Sequence, residues 1–199
     1  MYGIPAFAGM ADFFEILSGL EFVMKKLLSA CLMTFALLSG CASVEVSDYR
    51  AETPALDLRQ YFNGKLDAWG MFQDRSGKVI KRFHVAMLAS WQGEVGTLDE
   101  SFTYSDGTAQ KRVWTLTRQP DGNYIGRAAD VVGEARGELS GNALHWRYVL
   151  ALPVDGKVYH VDFDDWMFLI DDKVMLNRSF MSKFGVDLGQ VTLSFTKPD

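Results

Sequence analysis

With 199 residues, a formal net charge of −5 and two cysteines, the sequence excludes more than it names. The acidic balance argues against nucleic acid and anionic lipid headgroups as partners of the protein as a whole. Two cysteines give no disulfide framework, so any folded domain must be held together by its core.

Residues 1–23 place Asp12, Glu15 and Glu21 ahead of the first lysines, a pattern foreign to export signals. They are expected to be a non-native extension, with translation starting at Met24. Met24-Lys25-Lys26 is a basic start, and LLSACLMTFALL (27–38) is an apolar run of twelve residues. A permanent membrane helix needs about 20. The stretch 24–40 therefore reads as a signal peptide. Its end, LLSGCAS (37–43), resembles the lipobox of bacterial lipoproteins. That resemblance implies cleavage ahead of Cys41, a diacylglycerol on the Cys41 sulfur, and attachment to the membrane through lipid. Ala42 stands where inner-membrane lipoproteins typically hold Asp, which points to the outer membrane of a Gram-negative cell, on its periplasmic face. Removing 40 residues from 199 leaves 159, enough for one domain that buries about 70% of its unfolded surface.

Residues 41–57 (CASVEVSDYRAETPALD) show no sustained period and are expected to be the lipidated cysteine and a flexible tether. LDLRQYFNG (56–64) suits a turn of helix. From residue 58 to 199, turn signals recur at short intervals: DRSGK (74–78), WQGE (91–94), SDGT (105–108), PDGN (120–123), SGNA (140–143), VDGK (154–157), DDK (171–173) and GVDLG (185–189). The segments between them are rich in Val, Phe, Tyr, Trp and Thr, and Asp-Gly between such runs is a strong hairpin signal. A further break at Asp130-Val131-Val132-Gly133 raises the expected strand number from nine to ten. The expected fold is all-β, an antiparallel up-and-down meander closing into a barrel, because closure removes exposed strand edges. A β-sandwich is the alternative.

The stretches YFNGKLDAWGMFQDRSGKVIKRFHV, FTYSDGTAQKRVWTL, ADVVGEARGELSGNALHWRY, DFDDWM and NRSFMSKFGVDLGQVTLSF resemble a bacterial lipoprotein family catalogued as domain of unknown function 3833. The resemblance runs from about Leu58 to Lys197. It implies a relative of the calycins, lipocalin-like barrels that hold small apolar ligands, although the Gly-x-Trp opening of true lipocalins is missing and Trp69 is followed by Gly70.

Alternation separates the two faces of each strand. Val79, Phe83, Val85, Met87, Ala89 and Trp91 share one face, as do Leu98, Phe102 and Tyr104 with Glu100 among them. By the same parity Arg112 falls with Trp114 and Leu116, Trp146 with Tyr148, Leu150 and Leu152, and Asp165 with Val161, Phe163, Met167 and Leu169. Arg178 falls with Val174, Leu176 and Phe180. Unpaired buried charge costs several kcal/mol, so Glu100, Arg112, Asp165 and Arg178 should pair with one another or face a cavity. The candidate interior site is therefore Glu100, Arg112, Trp114, Trp146, Tyr148, Asp165 and Arg178.

Of the five aspartates in VDFDDWMFLIDDK (161–173), Asp171 and Asp172 are read as turn residues, Asp162 and Asp164 as solvated, and Asp165 as an arginine partner rather than a metal ligand. His84, His145 and His160 stand singly, without metal-ligand spacing, and no metal or other cofactor is expected. Three functions remain open: a carrier of a small apolar or lipid-derived ligand, a scaffold with a filled interior, and an enzyme using Glu100 and Asp165 as acid and base.

Overall fold

A computed structural model describes residues 43–154 and 156–198. The expected extension 1–23, the signal peptide 24–40 and Cys41 lie outside the described residues. Ten strands follow in order: β1 (Gly64–Asp74), β2 (Val79–Gln92), β3 (Val95–Tyr104), β4 (Ala109–Arg118), β5 (Tyr124–Arg127), β6 (Ala135–Ser140), β7 (Ala143–Val154), β8 (Lys157–Leu169), β9 (Val174–Lys183) and β10 (Val186–Thr196). Each pairs antiparallel with the next, and β10 pairs with β1, so the sheet is a closed barrel. The ten-strand meander is the expected one, and the sandwich alternative falls with the β1–β10 pairing.

The hairpin signals act through backbone chemistry. Asp106 Oδ1 accepts from the Thr108 N–H at 3.1 Å and Asp121 Oδ1 from the Asn123 N–H at 3.0 Å. The glycines that follow these aspartates, Gly107 and Gly122, adopt φ of 82° and 89°, which a side chain would resist. Asp171 does the same for the Lys173 and Val174 N–H groups.

The two ends of the barrel differ. At one end a helical turn, α1 (Leu58–Tyr61), is capped by Asp57, whose side chain accepts from the Arg59 N–H at 2.9 Å. Leu58 is only 1% exposed, and Tyr61 and Phe62 are buried beside it. Phe62 meets Phe195 edge to face at 5.6 Å, Trp91 Nε1 donates to the Phe62 carbonyl at 2.7 Å, and the Tyr61 hydroxyl donates to the Phe195 carbonyl at 3.2 Å. This end is plugged. The other end, ringed by the turns after β1, β3, β7 and β9 and the loop 128–134, is covered by no helix among the described residues and is the mouth.

Residues 41–57 do not behave as the expected tether where they are described. Val46–Tyr49 forms a 3-10 turn, and the Tyr49 ring packs on Trp166 at 5.9 Å and Phe168 at 5.1 Å on the outer wall. The Leu56 N–H donates to the Gly141 carbonyl at 2.8 Å, and Leu56 is buried. A Cβ on Gly141 would overlap the Tyr49 carbonyl oxygen, so the strap fits only because this turn has no side chain. Contacts made one residue at a time leave no period in the sequence, which is why the segment read as coil.

β9 requires a correction. Its inward residues are Met175, Asn177 and Ser179, and the expected inward set of Val174, Leu176, Arg178 and Phe180 faces out. Leu176 is 45% exposed and Phe180 39%, and Arg178 stacks its guanidinium over the Phe180 ring at 4.8 Å. Hydrophobicity pointed the wrong way because the interior here holds small polar residues opposite a carboxylate. Val79, expected inside on β2, is likewise exposed beside the mouth.

Candidate ligand-binding cavity

Glycines make room for the aromatic wall. A Cβ on Gly126 of β5 or on Gly137 of β6 would overlap the Trp146 indole, so the ring lies flat against two neighbouring strands. Trp114 meets Trp146 edge to face at 5.7 Å and Tyr148 at 5.5 Å, and Tyr148 stacks on Phe163 at 5.1 Å. Such pairs each add roughly 0.5–1.5 kcal/mol beyond burial and fix ring orientation.

These rings bound a cavity of about 160 Å³ that reaches from Tyr104, Gln110 and Leu152 near the mouth to Phe195. A second space of about 60 Å³ lies beneath Leu58 and Phe62 of the plug, and Glu100, Trp114, Trp146, Met167 and Phe195 line both. The interior is neither filled nor as roomy as the 300 Å³ or more usual for drug-sized ligands.

Six of the seven residues singled out from the sequence come together here: Glu100, Arg112, Trp114, Trp146, Tyr148 and Asp165 all line the larger cavity, and Arg178 does not. Strand register explains the grouping. Glu100 sits opposite Arg112 on the β3–β4 ladder, Trp146 opposite Asp165 on β7–β8, and Asp165 opposite Ser179 on β8–β9.

Of the two arrangements open to the four charges, pairing with one another is not the one found. Arg112 is instead held by Asp130, with Nε at 3.0 Å and Nη2 at 2.8 Å from Oδ2. Burial opposes the Arg112 charge, and the Asp130 hydrogen bond together with the nearby Tyr148 and Glu100 outweighs it, raising the pKa. Asp130 reaches inward because its loop is tied to β7: the Ala151 N–H donates to the Asp130 carbonyl and the Val132 N–H to the Val149 carbonyl, both at 2.8 Å. Asp165 accepts from the Ser179 hydroxyl and, at 3.3 Å, from the Tyr148 hydroxyl. Burial pushes its pKa up to about 7, against the pull of those two donors. Glu100, 8% exposed, is also pushed up to about 7 by burial, with Arg112 pulling the other way. Among the described residues its carboxyl makes no hydrogen bond or ion pair.

Ser179 and Asn177 on the cavity wall, and Asp130 behind Arg112, are polar residues that sequence reasoning missed. Ser179 was signalled by register, since it falls opposite Asp165 once the Asp171 turn is fixed. Asp164, read as solvated, is half exposed and bonds His145 Nε2 at 2.8 Å on the outer wall.

The chain belongs to the family described as "Protein of unknown function (DUF3833)", which its sequence matches over residues 35–197. No curated protein matches it. Among solved structures it is similar to an S-type phycobiliprotein lyase from Guillardia theta, with a TM-score of 0.50 and 7% identity, covering 78% of this chain and 99% of that one. At such low identity the likeness is one of fold, a calycin-like barrel, in agreement with the resemblance carried by the sequence.

Proposed function

We propose that this family member binds one small amphipathic molecule inside its barrel, while anchored through lipid on Cys41 to the periplasmic face of the outer membrane. The observation that carries the binding reading is Glu100: a carboxyl buried without a partner among the described residues, on the wall of an aromatic-lined cavity. A filled scaffold gains nothing from that arrangement, since an apolar side chain of similar volume would be more stable. A volume of about 160 Å³ equals roughly five waters at ~30 Å³ each, so the ligand, or the part of it that enters, is small. The fold shared with a phycobiliprotein lyase supports a barrel whose interior is used.

The anchor reading rests on the lipobox-like LLSGCAS (37–43).

An enzyme using Glu100 and Asp165 as acid and base is the second reading, favoured by two cavity carboxyls that both titrate near 7.

Native mass spectrometry with solvent extraction, on residues 42–199 exported without the anchor, tests the binding reading. A stoichiometric small molecule retained by the wild type and lost with Glu100→Gln is expected; a clean apo mass for the wild type overturns it. For the anchor, Cys41→Ser should move the protein from the membrane to the soluble periplasmic fraction, and unchanged membrane attachment overturns that part.

A further inference from the structure

We infer that the cavity selects a ligand whose polar end donates hydrogen bonds, an amine or hydroxyl-bearing amphiphile, and rejects free carboxylates. This deepens the binding reading above and rests on it. Among the described residues lining the cavity the one cationic side chain, Arg112, is spent: Nε and Nη2 both bond Asp130, so the pair presents no net positive charge. Its Nη1 remains, backed by a neutralised charge.

The donors left on the wall are neutral ones, such as the Gln110 amide, while the charged capacity that remains is acceptor, on the Glu100 and Asp165 carboxyls. Glu100 is more than nine-tenths buried, lines the cavity and has no bonded partner among the described residues, so its oxygens wait for a donor. Asp165 accepts from two hydroxyls already, yet a carboxylate has about four lone-pair sites. Asn177 uses one Nδ2 hydrogen on the Trp166 carbonyl at 3.4 Å and keeps Oδ1 as an acceptor on the wall. The Tyr104 hydroxyl donates to Gln110 Oε1 at 2.8 Å near the mouth, which uses the hydroxyl proton and leaves the Gln110 amide N–H groups as neutral donors. The Tyr148 hydroxyl is spent on Asp165.

A carboxylate entering this site would add a third acid to Glu100 and Asp165 with no unspent cation to meet it, and like charges in a desolvated space repel strongly. An ammonium or hydroxyl group supplies the missing donors. Because burial holds both acids near pH 7, an entering ammonium would also drive protons off them, and that release can be measured.

The test compares octylamine, 1-octanol and octanoate against the whole protein at pH 7. Binding is read by calorimetry and by quenching of the two cavity tryptophans, Trp114 and Trp146. Octylamine should bind at least tenfold more tightly than octanoate, with 1-octanol between them. The octylamine heat should change with buffer ionisation enthalpy, reporting release of protons. Glu100→Gln and Asp165→Asn should each weaken octylamine at least tenfold and narrow the gap to octanoate.

Octanoate binding as tightly as octylamine overturns the inference while leaving the binding reading intact. Octylamine binding that both variants leave unchanged also overturns it, because the amine would then sit on the acidic exterior. Failure of all three probes to bind at millimolar concentration overturns the binding reading as well.

Discussion

The plugged half and the mouth half of the barrel are built from the same ten strands and do opposite things. The plugged half gathers Leu58, Tyr61, Phe62, Trp91 and Phe195, with the Tyr61 hydroxyl and the Trp91 indole N–H each given a backbone carbonyl. The cavity between that plug and the mouth buries Glu100 and Asp165 against burial costs that raise both pKa values to about 7. The plug stores stability and the cavity spends part of it on an interior that can recognise something. The strands run through both halves, so closure of the barrel lets a well-packed end hold a costly one in register.

The contrast can be broken most severely at the plug. Phe62→Ala removes the edge-to-face partner of Phe195 and opens the floor, and should cost about 3–5 kcal/mol in denaturant unfolding. A loss below about 1 kcal/mol would mean that α1 is an ornament rather than a plug. Next comes the wall. Gly137→Val intrudes on the Trp146 indole and should cost about 1–3 kcal/mol while shifting tryptophan emission, because the ring must leave its seat.

The third prediction depends on pH. In the folded state Glu100 and Asp165 keep their protons up to about 7, against ordinary values of 4.5 and 3.8. The folded protein therefore binds more protons than the unfolded chain between about pH 4 and 7. These groups contribute fully below the lower values and the contribution is lost as pH rises through 7. Glu100→Gln should thus stabilise the protein by about 2 kcal/mol at pH 8 and change little at pH 4. Equal effects at the two pH values would show that Glu100 is solvated in the folded protein.

Tyr49→Ala removes the strap's two ring contacts on Trp166 and Phe168 and should cost about 1 kcal/mol. Arg178→Ala comes last. An exposed arginine stacked on Phe180 should matter by less than about 0.5 kcal/mol and leave ligand binding alone, whereas an interior role would abolish binding.

The sequence disclosed the barrel because its signals are local: Asp-Gly turns, alternation on β2, β3, β7 and β8, and the break at 130–133 all act within a few residues. It disclosed Glu100, Arg112 and Asp165 by the same alternation, each a charge standing in an apolar series. Alternation failed on β9, where Leu176 and Phe180 are outside and Asn177 and Ser179 inside, because the inner residues are chosen to meet Asp165 rather than to exclude water. Asp130 was invisible as a partner of Arg112, since nothing local shows that its loop is pulled onto β7 by Val132 and Ala151. Tyr49 and Leu56 escaped for the same reason. Local rules break where the interior serves recognition, and where a contact depends on one distant turn.

The chain enters and leaves the barrel side by side. Asp67 near the start of β1 pairs with Thr196 at the end of β10, and Lys197 Nζ donates to the Gln60 carbonyl at 2.9 Å beside the plug. A protein fused beyond Pro198, or a sensor surface coupled there, would therefore project from the sealed end and leave the mouth unobstructed. The barrel can be immobilised for ligand screening by its C-terminal side without masking the face that is to be probed.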